Sequence, residues 1–352
     1  MEQIKTSKLP QVSIVMPVFN HAELVIEMME SVCRNTLTDW ELLAVDDGSD
    51  EADFAQIAAF AAGDERICYV RRERGPKGAQ TCRNIGLGMA RGEYVAFFDS
   101  DDWITPTCLM ERVRAIGQHP ELDFMVFPAG IYRDGDIHVE PGCSMYGYPI
   151  YGDDVAAFCS RNLPFVVWNN LYRRSSLLAN GLRWDERLLS LQDAAFNLAA
   201  LTSGLKYAYA TDVAPDYAYR LASVGSISKQ IGGAVHFRSN ALATEIAYHL
   251  VQQRFGHRYD SALYRGALYV YVKVARVGYD AQFVNEMACV IGRYSPIYGR
   301  WFRLQMWLTR RLMRILPYKM ARQLPLAINL THRWILEEFW IPRRQRKWMK
   351  SL

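Results

Sequence analysis

Short apolar runs alternate with longer amphipathic stretches over the first third of the chain. Residues 12–16, 41–45, 67–70 and 94–98 are apolar runs of strand length. The segments between them carry apolar side chains at helical spacing, as residues 22–34 illustrate. Such an alternation of strands and helices predicts an α/β fold with a mostly parallel sheet.

The pattern becomes mixed after the first third and turns helical towards the C-terminus. Residues 131–140 have the pattern of a hairpin, with Asp134-Gly135 at its turn. The last third consists of long stretches with faces of Tyr, Ala, Val and Leu side chains. We therefore predict an α/β domain over residues 10–230 and a helical region over residues 231–352.

The amino-acid composition indicates what kind of chain this is, but it does not indicate a function. Half of the residues are hydrophobic and the formal net charge is +4, as in a folded globular chain. The seven cysteines include no C-x-x-C pair, which favours reduced thiols over disulfides or a zinc site. We find neither a signal peptide nor an uninterrupted apolar run of about 18 residues. These features predict a cytoplasmic protein without membrane spans.

Positive charge is concentrated at the C-terminus. Residues 298–352 hold thirteen Lys or Arg and two acids, with aromatic and aliphatic residues interleaved at roughly helical spacing. Such a tail can anchor to an anionic membrane surface, pack as a plain helical subdomain with its aromatic side chains inward, or bind nucleic acid. We favour the membrane. Nucleic acid is disfavoured because the first 290 residues carry no comparable basic excess.

Clusters of carboxylates directly follow two of the predicted strands. The two acidic turns are Asp46-Asp47-Gly48-Ser49 and Asp99-Ser100-Asp101-Asp102. Ligands of open α/β sheets bind beyond the carboxyl ends of the strands. Three carboxylates in four residues favour a divalent cation bound through oxygen, although a solvated turn can have the same composition. The first turn suits hydrogen bonds to a ribose or base, and it can also cap a helix at Ser49 or Asp50.

Four blocks of sequence, taken together, resemble family 2 glycosyltransferases. They are residues 13–20, 45–49, 83–87 and 92–102. Their order and spacing make the resemblance far more specific than any single block. Weaker similarity continues through residues 168–174, Gln192-Asp193 and residues 225–228. The resemblance implies a GT-A fold, with a twisted, mostly parallel sheet flanked by helices.

The resemblance also implies a donor site for a nucleotide-diphosphate sugar. The nucleotide-binding residues would be Pro17, Val18, Phe19, Asn20, Asp46, Asp47, Arg83, Asp99 and Ser100. Asp99 and Asp101 would hold Mg²⁺ or Mn²⁺ on the donor diphosphate. The further candidates, for the acceptor or for a loop over the diphosphate, are Asp102, Trp168, Gln192, Ser226, Ser228 and Lys229. For the last three, an ordinary surface turn is the alternative.

Asp193 is the implied general base, which would take the proton from the acceptor hydroxyl in an inverting single displacement. The family usually has Glu before this Asp, whereas Gln192 stands here. A helix N-cap is the alternative role for Asp193. Long-chain polymerases of the family carry a Gln-x-x-Arg-Trp motif, but Leu330 occupies the Gln position before Arg333-Trp334. We therefore expect the addition of one sugar or a short run.

The predicted function is transfer of a sugar, from a UDP donor by default, to a carbohydrate or lipid-linked saccharide acceptor in cell-surface polysaccharide synthesis. The predicted location is the inner face of the cytoplasmic membrane. A nucleotidyltransferase is the enzymatic alternative, but it would need a Gly-rich loop after the first strand, where Pro17 to His21 contain no glycine. A non-catalytic carbohydrate or membrane scaffold is the other alternative, which retention of Asp99, Asp101 and Asp193 disfavours.

Overall fold

The computed structural model describes residues 9–133, 135–139, 146–220, 234–275, 277–278 and 280–321. In these residues the chain forms eleven strands and twelve α-helices. The strands are β1 (Val12–Val18), β2 (Trp40–Asp46), β3 (Ile67–Arg71), β4 (Tyr94–Phe97), β5 (Trp103–Ile104), β6 (Phe124–Val126), β7 (Ala129–Arg133), β8 (Asp136–His138), β9 (Asn170–Arg173), β10 (Tyr207–Tyr209) and β11 (Tyr217–Tyr219). The helices are α1 (Ala22–Cys33), α2 (Glu51–Ala61), α3 (Ala79–Met89), α4 (Cys108–Gly117), α5 (Asp154–Cys159), α6 (Arg174–Ala179), α7 (Gln192–Ser203), α8 (Ala234–Phe255), α9 (Asp260–Ala275), α10 (Ala281–Tyr294), α11 (Pro296–Leu312) and α12 (Tyr318–Ala321).

A seven-stranded sheet forms the centre of the described structure. Its order is β10-β6-β9-β4-β1-β2-β3. Four strand pairs are parallel, and the two pairs that involve β9 are antiparallel. The prediction of a mostly parallel α/β sheet is confirmed.

The two strands at the centre of the parallel half are covered on both faces. Every residue of β1 and of β2 is buried, which explains why both read as nearly continuous apolar runs. Helix α3 lies directly on β1 because Gly86 has no side chain. A Cβ atom at Gly86 would lie 2.6 Å from Cγ1 of Val15. This contact fixes the helix that carries Arg83 against the strand that ends at Val18.

A second, four-stranded sheet lies beside the first, in the order β5-β11-β7-β8. The predicted hairpin is confirmed as the antiparallel pair β7–β8, although residues 134 and 140 lie outside the described residues. A buried ion pair anchors this sheet. Arg112 of α4 donates from Nε to Asp216 at 2.7 Å and from a terminal nitrogen to the Trp168 carbonyl at 2.9 Å. These bonds tie α4 to the start of β11.

The helical region packs on the sheet through a shared core. One cluster of buried residues includes Val15 of β1, Phe97 of β4 and Phe302 of α11. The predicted boundary between residues 230 and 231 lies outside the described residues, so it stays a prediction. In the described part of the chain, no helix is long and apolar enough to cross a membrane.

Candidate active site

The two acidic turns lie on either side of β1, because the sheet order places β4 and β2 as its neighbours. Pro17 and Val18 end β1 between them, and Val18 is buried. The next residue, Phe19, is 45% exposed at this edge of the sheet. The Nζ atom of Lys77 lies 3.9 Å from the centre of the Phe19 ring. An exposed ring and a cation therefore meet at this edge of the sheet.

The carboxylate of Asp46 is saturated by groups of the chain itself. It is fully buried and accepts hydrogen bonds from the backbone N–H groups of Gly48 (3.0 Å) and Ser49 (3.1 Å). The Ser49 hydroxyl also donates to it, and Nε of Arg71 lies 3.1 Å away. Both oxygens are thus used inside the protein, which suits a role in holding the turn.

Asp47 and Asn20 connect this turn to its surroundings. Oδ1 of Asp47 accepts from Nε of Arg72 at 2.6 Å and from the Gly78 N–H at 2.8 Å. The Asn20 N–H donates to Oγ of Ser49 at 2.7 Å. Asp50 is the N-cap of α2, as the capping interpretation predicts, and its carboxylate accepts from the N–H of Asp53.

Sequence reasoning missed two pairs of contacts that position residues 74–78, the Gly-containing loop before α3, and α3 itself. The terminal nitrogens of Arg74 donate to the two oxygens of Glu186, each at 2.7 Å. Asn84 forms a reciprocal pair with the backbone of Trp184, both bonds being 2.9 Å long. The partners are 100 or more residues apart, and neither pair has a local sequence signal.

Arg83 joins the second acidic turn to the start of α7. Its guanidinium donates to Oδ1 of Asp99 at 2.7 Å and to Oε1 of Gln192 at 3.3 Å. The guanidinium carbon also lies 4.4 Å from the centre of the Trp184 ring. The side chain is buried. The structure therefore brings together three of the predicted site residues, Arg83, Asp99 and Gln192.

Tyr217, a further residue that sequence reasoning missed, contacts the second acidic turn on the side away from Arg83. Its hydroxyl donates to Oδ2 of Asp102 at 2.7 Å and accepts from the Asp99 N–H at 3.1 Å. Its ring stacks on Trp168, with 4.6 Å between centroids. Asp102 is 1% exposed and also accepts from the Arg220 N–H at 2.9 Å. Asp102 and Trp168 therefore stabilise the second acidic turn through their contacts with Tyr217.

Asp193 is the second residue of α7, and the helix begins after Leu191 rather than with an Asp193 side-chain cap. The N-cap interpretation of Asp193 is therefore wrong. Among the described residues, its Oδ1 atom is buried and has no hydrogen-bond partner. Burial raises the pKa of Asp193, and the Arg83 guanidinium opposes that shift. Such an orphaned carboxylate oxygen has the properties expected of a base that awaits a substrate hydroxyl.

Residues 13–179 match the family described as Glycosyl transferase family 2. The match covers 167 of the 352 residues. The chain is 28% identical to "Uncharacterized glycosyltransferase EpsJ" of Bacillus subtilis over 54% of its own length and 56% of that protein. It is 29% identical to "Succinoglycan biosynthesis protein ExoO" of Rhizobium meliloti over 63% of its length and 64% of that protein. The chain thus spans less than two thirds of these curated relatives.

A solved structure extends the likeness to nearly the whole chain. Residues 1–349 of S. aureus TarS in complex with UDP-GlcNAc superpose with a TM-score of 0.64 over 91% of this chain and 92% of that one, at 15% identity. At 15% identity this similarity shows that the two proteins share a fold, and no more than that. It confirms the GT-A expectation, with the helical C-terminal region included.

The carboxylates of the second acidic turn are oxygen ligands of the kind that a hard cation prefers. Burial raises the pKa of Asp99 to about 6, Arg83 opposes this, and the negative charges of Asp193 and Asp101 add to the rise. The turn thus holds more negative charge than one guanidinium compensates. In the described residues no three acidic, His or Cys side chains form a ready-made metal cluster. Mg²⁺ commonly binds through one or two carboxylates plus substrate phosphates, and Asp99 and Asp101 fit that pattern.

Ser226, Ser228 and Lys229 lie outside the described residues, as does the tail beyond Ala321.

Proposed function

We propose that this protein transfers a sugar from a nucleotide-diphosphate donor to a carbohydrate or lipid-linked saccharide acceptor in cell-surface polysaccharide synthesis. The observation that carries the proposal is the convergence of Asp99, Arg83 and Asp193 at the carboxyl edge of the parallel strands. The family 2 domain supports it, as do relatives named for glycosyltransferase and succinoglycan biosynthesis functions. UDP is the first nucleotide to test because TarS was solved with UDP-GlcNAc.

On the donor side, we assign the base and ribose to the end of β1 and the first acidic turn. Phe19 offers an exposed ring face, and Pro17, Val18 and Asn20 form the adjoining backbone. Asp47 is the turn's candidate for ribose contact, while Asp46 holds the turn that presents it. Arg83, Asp99 and Ser100 complete the donor site on the β4 side.

The second acidic turn is assigned to the diphosphate. Asp101 and Asp99 would hold Mg²⁺ or Mn²⁺, which supplies neutralisation of the charge on the departing diphosphate when bound. Arg83 lowers the pKa of Asp99 against the effect of burial and orients its carboxylate through the 2.7 Å bond. Asp102 and Trp168, both held by Tyr217, keep the turn in place. Ser226, Ser228 and Lys229 remain candidates for a loop over the diphosphate.

Asp193 is assigned as the general base. Its carboxylate takes the proton from the acceptor hydroxyl while that oxygen forms a bond to the anomeric carbon and the bond to the diphosphate oxygen breaks. Attack from the face opposite the leaving group inverts the anomeric configuration. Gln192 positions the start of α7 through its bond to Arg83, which couples the base to the donor side.

For location, we propose the inner face of the cytoplasmic membrane, reached through the basic region that begins at residue 298. A lipid-linked acceptor would be met at that surface.

The test is calorimetric titration of the full chain with UDP, GDP, CDP and dTDP, with and without Mn²⁺. We expect Mn²⁺-dependent binding of one diphosphate by the wild type and its loss in Asp101→Ala. Absence of binding by every nucleotide would overturn the donor site and would favour a non-catalytic scaffold. Binding of a nucleoside triphosphate with a sugar phosphate, and release of pyrophosphate, would identify a nucleotidyltransferase instead.

A further inference from the structure

Helix α11 uses one face for the core. Phe302, Met306 and Thr309 are buried, and the helix lies against α10 at a contact between two glycines. A Cβ atom at Gly299 would lie 2.4 Å from the Cα atom of Gly292. A larger side chain would not fit at this contact, so α11 cannot turn about its axis to place another residue against α10. The residues on its outer face are therefore fixed.

The outer face of α11 carries an exposed apolar stripe. Ile297 is 68% exposed, Trp301 53% and Leu304 46%. Their i, i+4, i+7 spacing places them in one line along the helix, and Leu308 continues that line half-buried. Plain inward packing of the aromatic residues, one of the three interpretations of this region, does not describe Trp301.

Cations cover the flank of the helix next to that stripe. The groove between α10 and α11 has a volume of about 490 Å³ and is lined by Arg303, Arg310, Arg311 and Arg314 together with Trp307. Residues 296–321 contain no Asp or Glu. In the described part of the chain, none of these four arginines has a carboxylate within 4.0 Å. Their charge is therefore available to an external anion.

The apolar stripe and the neighbouring arginines together indicate which kind of partner would bind this face of α11. A nucleic acid would use the arginines but gives no reason to expose Ile297 and Leu304. A second copy of the chain would cover the apolar stripe, but it would bring two arginine rows of the same sign together. A bilayer with anionic lipids satisfies both features, because apolar side chains enter the headgroup and acyl boundary while guanidinium groups meet lipid phosphates.

We propose that the outer face of α11 docks on an anionic lipid bilayer. Ile297, Trp301 and Leu304 enter the interface, and the arginines of the α10–α11 groove contact lipid phosphates. The inference rests on the proposed function in that a lipid-linked acceptor would bring the transferase to this surface. It deepens that proposal by assigning the contact to a helix whose orientation the core fixes.

The experiment is flotation of the full-length protein with vesicles of phosphatidylcholine alone or with about one third phosphatidylglycerol. We expect binding to the anionic vesicles that weakens as salt is raised. The triple variant R310Q/R311Q/R314Q and the double variant W301Q/L304Q should each lower the partition coefficient at least about tenfold. The matched controls are R183Q/K206Q/R258Q and M110Q/L178Q, which change exposed residues elsewhere and should bind like the wild type.

Each outcome decides the proposal. Equal binding by wild type and both α11 variants would overturn it, and so would absence of wild-type binding. A concentration-dependent dimer that W301Q/L304Q dissociates, without vesicle binding, would assign the face to self-association. Circular dichroism checks that the variants fold. The UDP titration, made without vesicles, reports on the donor site separately, so loss of membrane binding and failure of the proposed function are distinguishable.

Discussion

The two acidic turns at the edge of the sheet have similar sequences but different surroundings. At the end of β2, Asp46 is enclosed by backbone N–H groups, a hydroxyl and Arg71. After β4, burial raises the pKa of Asp99 to about 6, the Arg83 guanidinium opposes that rise, and the charges of Asp193 and Asp101 add to it. The difference teaches that a carboxylate cluster indicates chemistry only where the fold leaves its charge uncompensated. Asp46 therefore serves the structure of the first turn, Asp47 stays the candidate for ribose contact, and the second turn is the candidate reaction centre.

The sharpest test of this comparison is Asp193→Asn. A base contributes roughly 10²–10⁴-fold to a proton-transfer step, so we expect the rate of sugar transfer to fall about 10³-fold. Mn²⁺-dependent UDP binding should stay unchanged, because Asp193 is assigned to the acceptor side. Transfer is measured by product chromatography and binding by calorimetry. Asp212→Asn, at an exposed carboxylate, is the matched control. Near-normal transfer by Asp193→Asn would show that another residue is the base.

The architectural role of the first turn predicts an effect on stability. Asp46→Asn removes the charge that faces Arg71 and replaces one of the two acceptor oxygens of the turn by an NH2 donor. We expect the free energy of unfolding to fall by about 3 kcal/mol, because hydrogen bonds to a buried, charged carboxylate are weakened or lost. Asp101→Asn should change it by less than about 1 kcal/mol. Urea denaturation followed by circular dichroism compares the two. Equal stabilities would remove the distinction between the turns.

Arg83→Lys tests the contacts by which Arg83 joins Asp99 of the second acidic turn to Gln192 at the start of α7. An ammonium group cannot reach Asp99 and Gln192 together while also stacking on Trp184. We expect kcat/KM to fall by about 10²-fold, roughly 2.7 kcal/mol, with the fold intact. Arg187→Lys, at an exposed arginine, is the control. A variant that keeps wild-type kinetics would mean that charge alone suffices at this position.

The smallest effect concerns the support beneath the second turn. Tyr217→Phe keeps the stack on Trp168 but removes the hydroxyl between Asp102 and the Asp99 N–H. We expect Mn²⁺-dependent UDP affinity to fall about tenfold, the loss of roughly 1.4 kcal/mol of hydrogen bonding. Tyr219→Phe is the control, because that ring also stacks near Trp168 and no bond from its hydroxyl to the turn is described. Unchanged affinity in Tyr217→Phe would argue that the turn keeps its shape unaided.

The local pattern of apolar residues was enough to predict the strands in the parallel half of the central sheet. Continuous apolar runs predict β1 and β2 because both strands are buried on both faces, and that burial leaves no polar alternation to misread. The short strands β5 and β11 escaped prediction, since two or three residues are too few to show a period. The reversal of β9 between β4 and β6 also has no local signal. It follows from how distant segments pair.

The sequence by itself determined the strand and helix alternation, the two acidic turns that follow strands and the placement of the basic excess near the C-terminus. These depend on periodicity and on residue type, which are local properties. Only the tertiary structure decided which carboxylates are saturated, that Arg83 meets Gln192 109 residues away and that Tyr217 holds Asp102 from a distance of 115 residues. Hydrogen bonding, burial and pKa depend on neighbours in space, and those neighbours are set by the packing of strands and helices rather than by adjacency along the chain.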